Sequence, residues 1–183
     1  MALAHRSVGA AIPTRGNVDL GPIVERILSY PEVAEVKVVV GTTPFNRYVA
    51  AMAMAYDVIY TQDDDCITDL GPILEAYEPG VIVNAMTPEH AALYRGRQTL
   101  IGFGCLFDRE LAASVLSERW RRDELFYRES DRVFATVNRH KTVFPKIEIL
   151  EYAYGPDRMY RQPEHHRSRV EMEQRLAATG YCL

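Results

Sequence analysis

Three consecutive carboxylates, Asp63-Asp64-Asp65, are the side chains of this 183-residue sequence best suited to chemistry. Adjacent acids repel, and setting them beside a buried strand is costly without a counter-charge. Magnesium or manganese supplies that charge, because hard divalent cations prefer oxygen donors. Alternation along an extended segment would aim Asp63 and Asp65 at one ion or one nucleotide and turn Asp64 elsewhere. The bland alternative is a solvated acidic turn that caps the next helix. A second acidic group, Glu129-Ser130-Asp131, can accept a proton from a hydroxyl. Its bland reading is helix N-terminal charge that suits the macrodipole. His165 and His166 follow Pro163 and are either metal ligands or an exposed polar turn. Arg15 and Arg47 can bind phosphate or stack on a base. Phe45 and Tyr48 read as packing.

The elements that position these residues alternate. Val8 to Ile12 is a short apolar strand ending in a Pro13-Thr14-Arg15-Gly16-Asn17 turn. Asn17 or Asp19 can cap a helix bearing Leu20, Ile23, Val24, Ile27 and Leu28, and Pro31 ends it. Val36 to Val40 is β-branched and reads as a second strand, closed by Gly41 to Pro44. Phe45 to Tyr56 is rich in Ala and Met and reads as a second helix. Asp57 to Thr61 is a third strand that runs into the aspartates. A helix over Asp69 to Tyr77 and a strand over Gly80 to Asn84 complete a βαβαβαβ order. Strands joined through helices run parallel, and such a sheet places ligands at the C-terminal ends of its strands. That rim holds the turn after the first strand, the turn before Phe45 and the aspartate triplet. Further on, Thr99 to Phe107 reads as a strand or bent hairpin, Asp108 to Trp120 as a capped helix and Leu125 to Asn138 as one helix. Val143 to Tyr152 reads as a strand and Arg167 to Thr179 as a charged helix.

Composition bounds the rest. With 48% hydrophobic residues over this length, the chain can bury a core without disulfides or a structural metal. It reads as one domain. Its longest near-apolar run, Tyr48 to Tyr56, is too short to span a bilayer, and Met1 to Arg6 lacks the apolar core of a signal peptide. Cys66, Cys105 and Cys182 form no CxxC pair, which excludes a zinc ribbon and a thioredoxin-like motif and suits a reduced, cytoplasmic setting. Residues 1–118 carry 8 Lys/Arg against 15 Asp/Glu, and residues 119–183 carry 13 against 10. An acidic front and a basic back suit a metal site in one part and anion contacts in the other.

Taken together, the order βαβαβ and the segment Val58-Ile-Tyr-Thr-Gln-Asp-Asp-Asp65 resemble the nucleotide-sugar glycosyltransferases of the GT-A fold and their DxD motif. The resemblance implies an α/β, Rossmann-like, mostly parallel sheet flanked by helices. Ala11 to Asn17 is similar to the first-strand loop that holds the nucleoside in those enzymes. Phe45-Asn46-Arg47-Tyr48 sits where they have the helix leading to the DxD strand. The donor-side residues so implied are Pro13, Thr14, Arg15, Asn17, Asn46, Arg47, Asp63 and Asp64. Asp63 and Asp65 match the DxD positions and imply a metal-bound diphosphate, with His165 or His166 completing the shell of a manganese or magnesium ion. Glu129 to Asp131 is similar to the Glu-Asp motif that carries the base in inverting members. Here a serine stands between the acids, and Asp131 is taken as the base with Glu129 as an acceptor ligand. The implied donor is a UDP- or GDP-sugar. The basic C-terminal third suits an anionic hydroxyl acceptor, a polymer such as modified DNA among them. A nucleotidyltransferase is the alternative, although a turn with one Gly and one Arg is poor for cradling a triphosphate. A non-catalytic binding module of the same fold is the other.

Overall fold

The computed structural model describes residues 6–94, 100–151 and 162–181. Strands β1 (Val8–Thr14), β2 (Val33–Val40) and β3 (Val58–Thr61) come first, linked by helices α1 (Gly21–Leu28) and α2 (Phe45–Ala53). Then follow β4 (Cys66–Thr68), α3 (Gly71–Glu75), β5 (Ile82–Ala85), α4 (Pro88–Tyr94) and β6 (Cys105–Asp108). A 3-10 turn (Arg109–Ala112) leads into α5 (Ala113–Leu116), α6 (Glu124–Arg128) and α7 (Ser130–Val137). Last come β7 (His140–Val143), β8 (Ile147–Ile149) and α8 (Glu164–Ala178).

Six strands form one sheet in the order β2-β1-β3-β6-β5-β7, and β4 pairs with β8 in a separate ribbon. β1 is parallel to β2 and to β3, and β5 is parallel to β7. Only β6 runs against its neighbours, β3 and β5. The sheet is therefore mostly parallel, with one reversed strand in its interior. The reversal matters for the site. It brings the chain entering β6 to the same rim where β3 ends, because Thr61 pairs with Cys105.

Both faces of the sheet are buried, as strand alternation requires. Ala11, Ile59, Phe107 and Ile82 face a core with Tyr48 and Ala51 of α2, Val115 of α5, Phe126 of α6, Val133 and Phe134 of α7, and Met172 and Leu176 of α8. Ala10, Ile12, Val58, Tyr60, Leu106 and Val83 face the other core, with Ile23 and Ile27 of α1 and Ile73 of α3. Ion pairs add to the docking of α8. Arg175 grips Asp123 with two hydrogen bonds, of 2.9 and 3.0 Å, and Arg132 lies 3.1 Å from Glu173. Cys66 and Cys105 are buried free thiols; Cys182 lies outside the described residues.

Several expectations need correction. The first helix starts at Gly21 with Leu20 at its cap; neither Asn17 nor Asp19 caps it, and Asp19 instead accepts the Gly21 N–H at 2.9 Å. The helix read over Leu125 to Asn138 is two helices, broken where Glu129 leaves the helical backbone at φ −107°, ψ 21°. Helical structure between Asp108 and Trp120 is a 3-10 turn and one α turn, ending at Leu116. The single strand read over Val143 to Tyr152 is divided around Pro145 between β7 in the main sheet and β8 in the ribbon.

Candidate functional site

The C-terminal ends of β1 and β3 carry the first-strand turn and the aspartate triplet, as the strand-end rule requires. Thr14, the last residue of β1, donates its hydroxyl to Asp64 Oδ2 at 2.7 Å and accepts the Gly16 N–H at 3.0 Å. Gly16 has φ +80°, so the turn needs a residue without a Cβ penalty there. Asp64 is buried, and it ties the triplet to the turn. Arg15 and Asn17 are exposed and Pro13 is half-buried. Asn46 is half-buried with its amide against Gly41. Asp64 is bonded to Thr14, whereas Asp63 is bonded to Arg47.

Arg47 is the main surprise. It is 2% exposed on its side chain, on a helix whose other inward residues are Tyr48, Ala50 and Ala51. Its Nη2 donates to Asp63 Oδ1, and its Nε lies 3.4 Å from Asp131 Oδ1. The Tyr48 hydroxyl donates to the same Asp131 oxygen at 2.7 Å. Burial pushes the Asp131 carboxyl up, while Arg47 and the Tyr48 hydroxyl pull against that shift. Burial together with Asp131 likewise pushes the Tyr48 phenol well above its ordinary value. Thus α2 carries a positive charge and a hydroxyl between the triplet and the start of α7. The Asp63 N–H bonds to the Gly102 carbonyl at 2.7 Å, and its carboxylate lies so close that a Cβ on Gly102 would collide with it. The segment entering β6 therefore forms one wall beside Asp63.

Glu129 and His165 belong to the helices α6, α7 and α8 that pack together. Glu129 is buried at the break between α6 and α7, with no hydrogen-bond partner for Oε1. Burial raises its carboxyl to about 7, against the opposing pull of Arg169, Arg132 and Arg128. His165 is in the first turn of α8, not in a loop, and its buried Nδ1 is also unpartnered. Burial and the same three arginines lower its pKa to about 4. His166 is exposed.

Asp63 and Asp65 offer the carboxylate oxygens that a hard divalent cation takes, and the Asp63 side chain is 43% exposed. The histidines do not join them: among the described residues no three His, Cys, Asp or Glu side chains gather where an ion could sit. The field of three arginines around His165 also repels a further positive charge. Asp63 and Asp65 supply the donor type that a magnesium or manganese ion prefers, and no histidine joins them among the described residues.

Tyr48 was read as packing, and Arg128, Arg132 and Arg169 were not singled out from the sequence. The local signal is spacing: His165 and Arg169 are four apart and lie one turn apart on α8.

No protein-family model matches the chain, and no curated protein matches it in sequence. Solved structures do match in fold. The catalytic domain of Drosophila β1,4-galactosyltransferase 7 with xylobiose superposes with a TM-score of 0.55 at 14% identity, covering 90% of this chain and 79% of that one. A point mutant of the same enzyme with manganese, UDP-Gal and xylobiose gives a TM-score of 0.54 at 16% identity over the same shares. A197 from STIV gives 0.50 at 15% identity, covering 79% of this chain and 85% of that one. The chain has the α/β GT-A fold, the mostly parallel sheet flanked by helices that the resemblance implied.

Proposed function

We propose that this chain is a metal-dependent glycosyltransferase that moves a sugar from a UDP- or GDP-sugar to a hydroxyl acceptor with inversion. One observation carries the reading: a buried arginine, Arg47, joins the strand-end carboxylate Asp63 to the helix-start carboxylate Asp131. A charged residue this deeply buried is unusual, and it links the two acids that donor activation and proton removal would need. The structures of similar fold include one with manganese and UDP-Gal, which favours the donor class.

In this reading the turn at Pro13, Thr14, Arg15 and Asn17, with Asn46, holds the nucleoside, and the Thr14–Asp64 bond fixes the turn against the triplet. Asp63 and Asp65 hold the magnesium or manganese ion, which when bound neutralises the departing diphosphate as a Lewis acid. Asp131 takes the proton of the acceptor hydroxyl at a carboxylate oxygen. Tyr48 and Arg47 hold that carboxylate in one orientation, and burial makes it a stronger base than a free aspartate. Glu129 stands next to the acceptor, and the segment at Gly102 walls one side of Asp63.

The test is a hydrolysis screen over nucleotide sugars with manganese, using the unaltered chain and Asp131→Asn. Release of one nucleoside diphosphate from one donor class, lost in Asp131→Asn, supports the reading. Equal hydrolysis by the variant moves the base elsewhere.

A further inference from the structure

Four buried polar atoms beside Glu129 lack hydrogen-bond partners: Arg128 Nε, one Arg128 Nη, Glu129 Oε1 and His165 Nδ1. They come from two helical segments fixed against each other. Arg128 and Glu129 stand at the break between α6 and α7, and His165 opens α8. The Arg175–Asp123 and Arg132–Glu173 pairs hold α8 to those helices, so the arrangement does not rest on one loose side chain. Helix α8 packs against both α6 and α7, and the charges of Arg128, Arg132 and Arg169 act on Glu129 and His165 alike. A buried polar group without a partner is destabilising, and several together mark a place where a ligand supplies the missing partners.

The unmet needs are of two kinds. Arg128 presents N–H donors on a permanent cation, which call for an anionic oxygen. Glu129 presents an acceptor, which calls for a hydroxyl. Resting on the transferase reading above, we infer that Arg128, Glu129 and His165 form the acceptor subsite, and that the acceptor is a small hydroxyl-bearing anion. Arg128 grips its phosphate or carboxylate, and Glu129 accepts a hydrogen bond from its hydroxyl. Arg169 also acts on Asp131, so this neighbourhood adjoins the base. Arg132 is paired with Glu173, but Arg128 keeps two guanidinium nitrogens without partners, and that favours an anionic ligand over a neutral sugar.

Calorimetric titration of the full chain tests this with glycerol 3-phosphate, glycerate, inorganic phosphate and neutral glycerol as probes. Saturable binding of glycerol 3-phosphate or glycerate, tighter than that of glycerol, is expected, and the tighter of the two names the anionic group. Arg128→Gln should weaken that binding about tenfold, the loss of one charge-assisted contact. Arg119→Gln, a change at an arginine stacked on Trp120, should leave it unchanged. Glu129→Gln should narrow the preference for glycerol 3-phosphate over inorganic phosphate, a change that simple misfolding would not produce. Equal binding of glycerol, or unchanged affinity in Arg128→Gln, overturns the subsite. Binding only of an oligonucleotide, and of none of the small anions, overturns the small-acceptor class. Nucleotide-sugar binding, titrated in parallel, separates the two readings: anion binding without it sinks the transferase and keeps the site, and the converse sinks the site alone.

Discussion

Arg47 lies with its Nε 3.4 Å from Asp131 Oδ1 while its Nη2 is bonded to Asp63, so one buried guanidinium serves two carboxylates distant in sequence. An arginine can do this because its planar fork presents donors in several directions, where a lysine offers one point charge. The relationship ties the order of α2 to that of the rim above the sheet.

Removing this arginine should be felt in stability. Arg47→Met leaves Asp131 with Tyr48 as its remaining close partner, and breaking a buried pair typically costs ~3–5 kcal/mol. The lower end is expected, about 3 kcal/mol, because the Asp63 side chain is 43% exposed and can turn to water. Asp63→Asn should cost less than about 1 kcal/mol for the same reason. Urea unfolding of both variants measures the difference, and equal losses would place the burden on Asp63.

The hydroxyl at the end of β1 gives a second prediction. Thr14→Val removes the 2.7 Å bond to Asp64 and the acceptor for the Gly16 N–H. Stability should fall by about 2 kcal/mol, the scale of a hydrogen bond to a charged group. Nucleotide affinity should fall with it, because the turn loses its anchor. Unfolding and nucleotide titration of the same sample check both parts.

Gly102→Ala sets a methyl against the Asp63 carboxylate. The carboxylate must move, so manganese-dependent donor binding should weaken while the fold survives. Parallel melting curves with and without manganese report this, and an unchanged manganese effect would remove the Gly102 wall from the site.

Glu129 gives stability a pH dependence. Its carboxyl is raised to about 7 in the folded chain, above the ordinary 4.5, so the folded state holds the proton more tightly than the unfolded one. The stabilisation is complete below about 4.5 and is lost as pH rises through about 7. His165 works oppositely: lowered from 6.5 to about 4, it destabilises as pH falls through that interval. Glu129→Gln should therefore gain stability relative to the unaltered chain between pH 5 and about 7, with the difference levelling above that. Denaturation at a series of pH values shows the trend, and a flat difference would mean that Glu129 is not buried in its charged form.

The first half of the fold was legible because its signals are local. β-branched runs at Val36 to Val40 and Val58 to Thr61, and the apolar spacing of Ile23 and Ile27, each mark an element within a few residues. The position of the aspartates at the end of β3 follows from those elements alone. The reversal of β6 was not legible, because strand direction is decided by pairing between Thr61 and Cys105, far apart in the chain. The break at Glu129 was missed since no Pro or Gly marks it. Arg47 was read as a rim ligand, but only the tertiary packing of α2 shows that its charge is buried between two acids. The arginines around His165 were hidden for the same reason: α8 meets α6 and α7 only in the folded chain.

The central claim is that the acids at the end of β3 hold a divalent ion under a nucleotide diphosphate. The most direct measurement is the melting temperature of the chain against a panel of UDP- and GDP-sugars with manganese, before and after EDTA. The account predicts a rise with at least one donor that requires manganese, disappears with EDTA and is absent in Asp63→Ala. A melting temperature that no donor moves in the presence of manganese would contradict it.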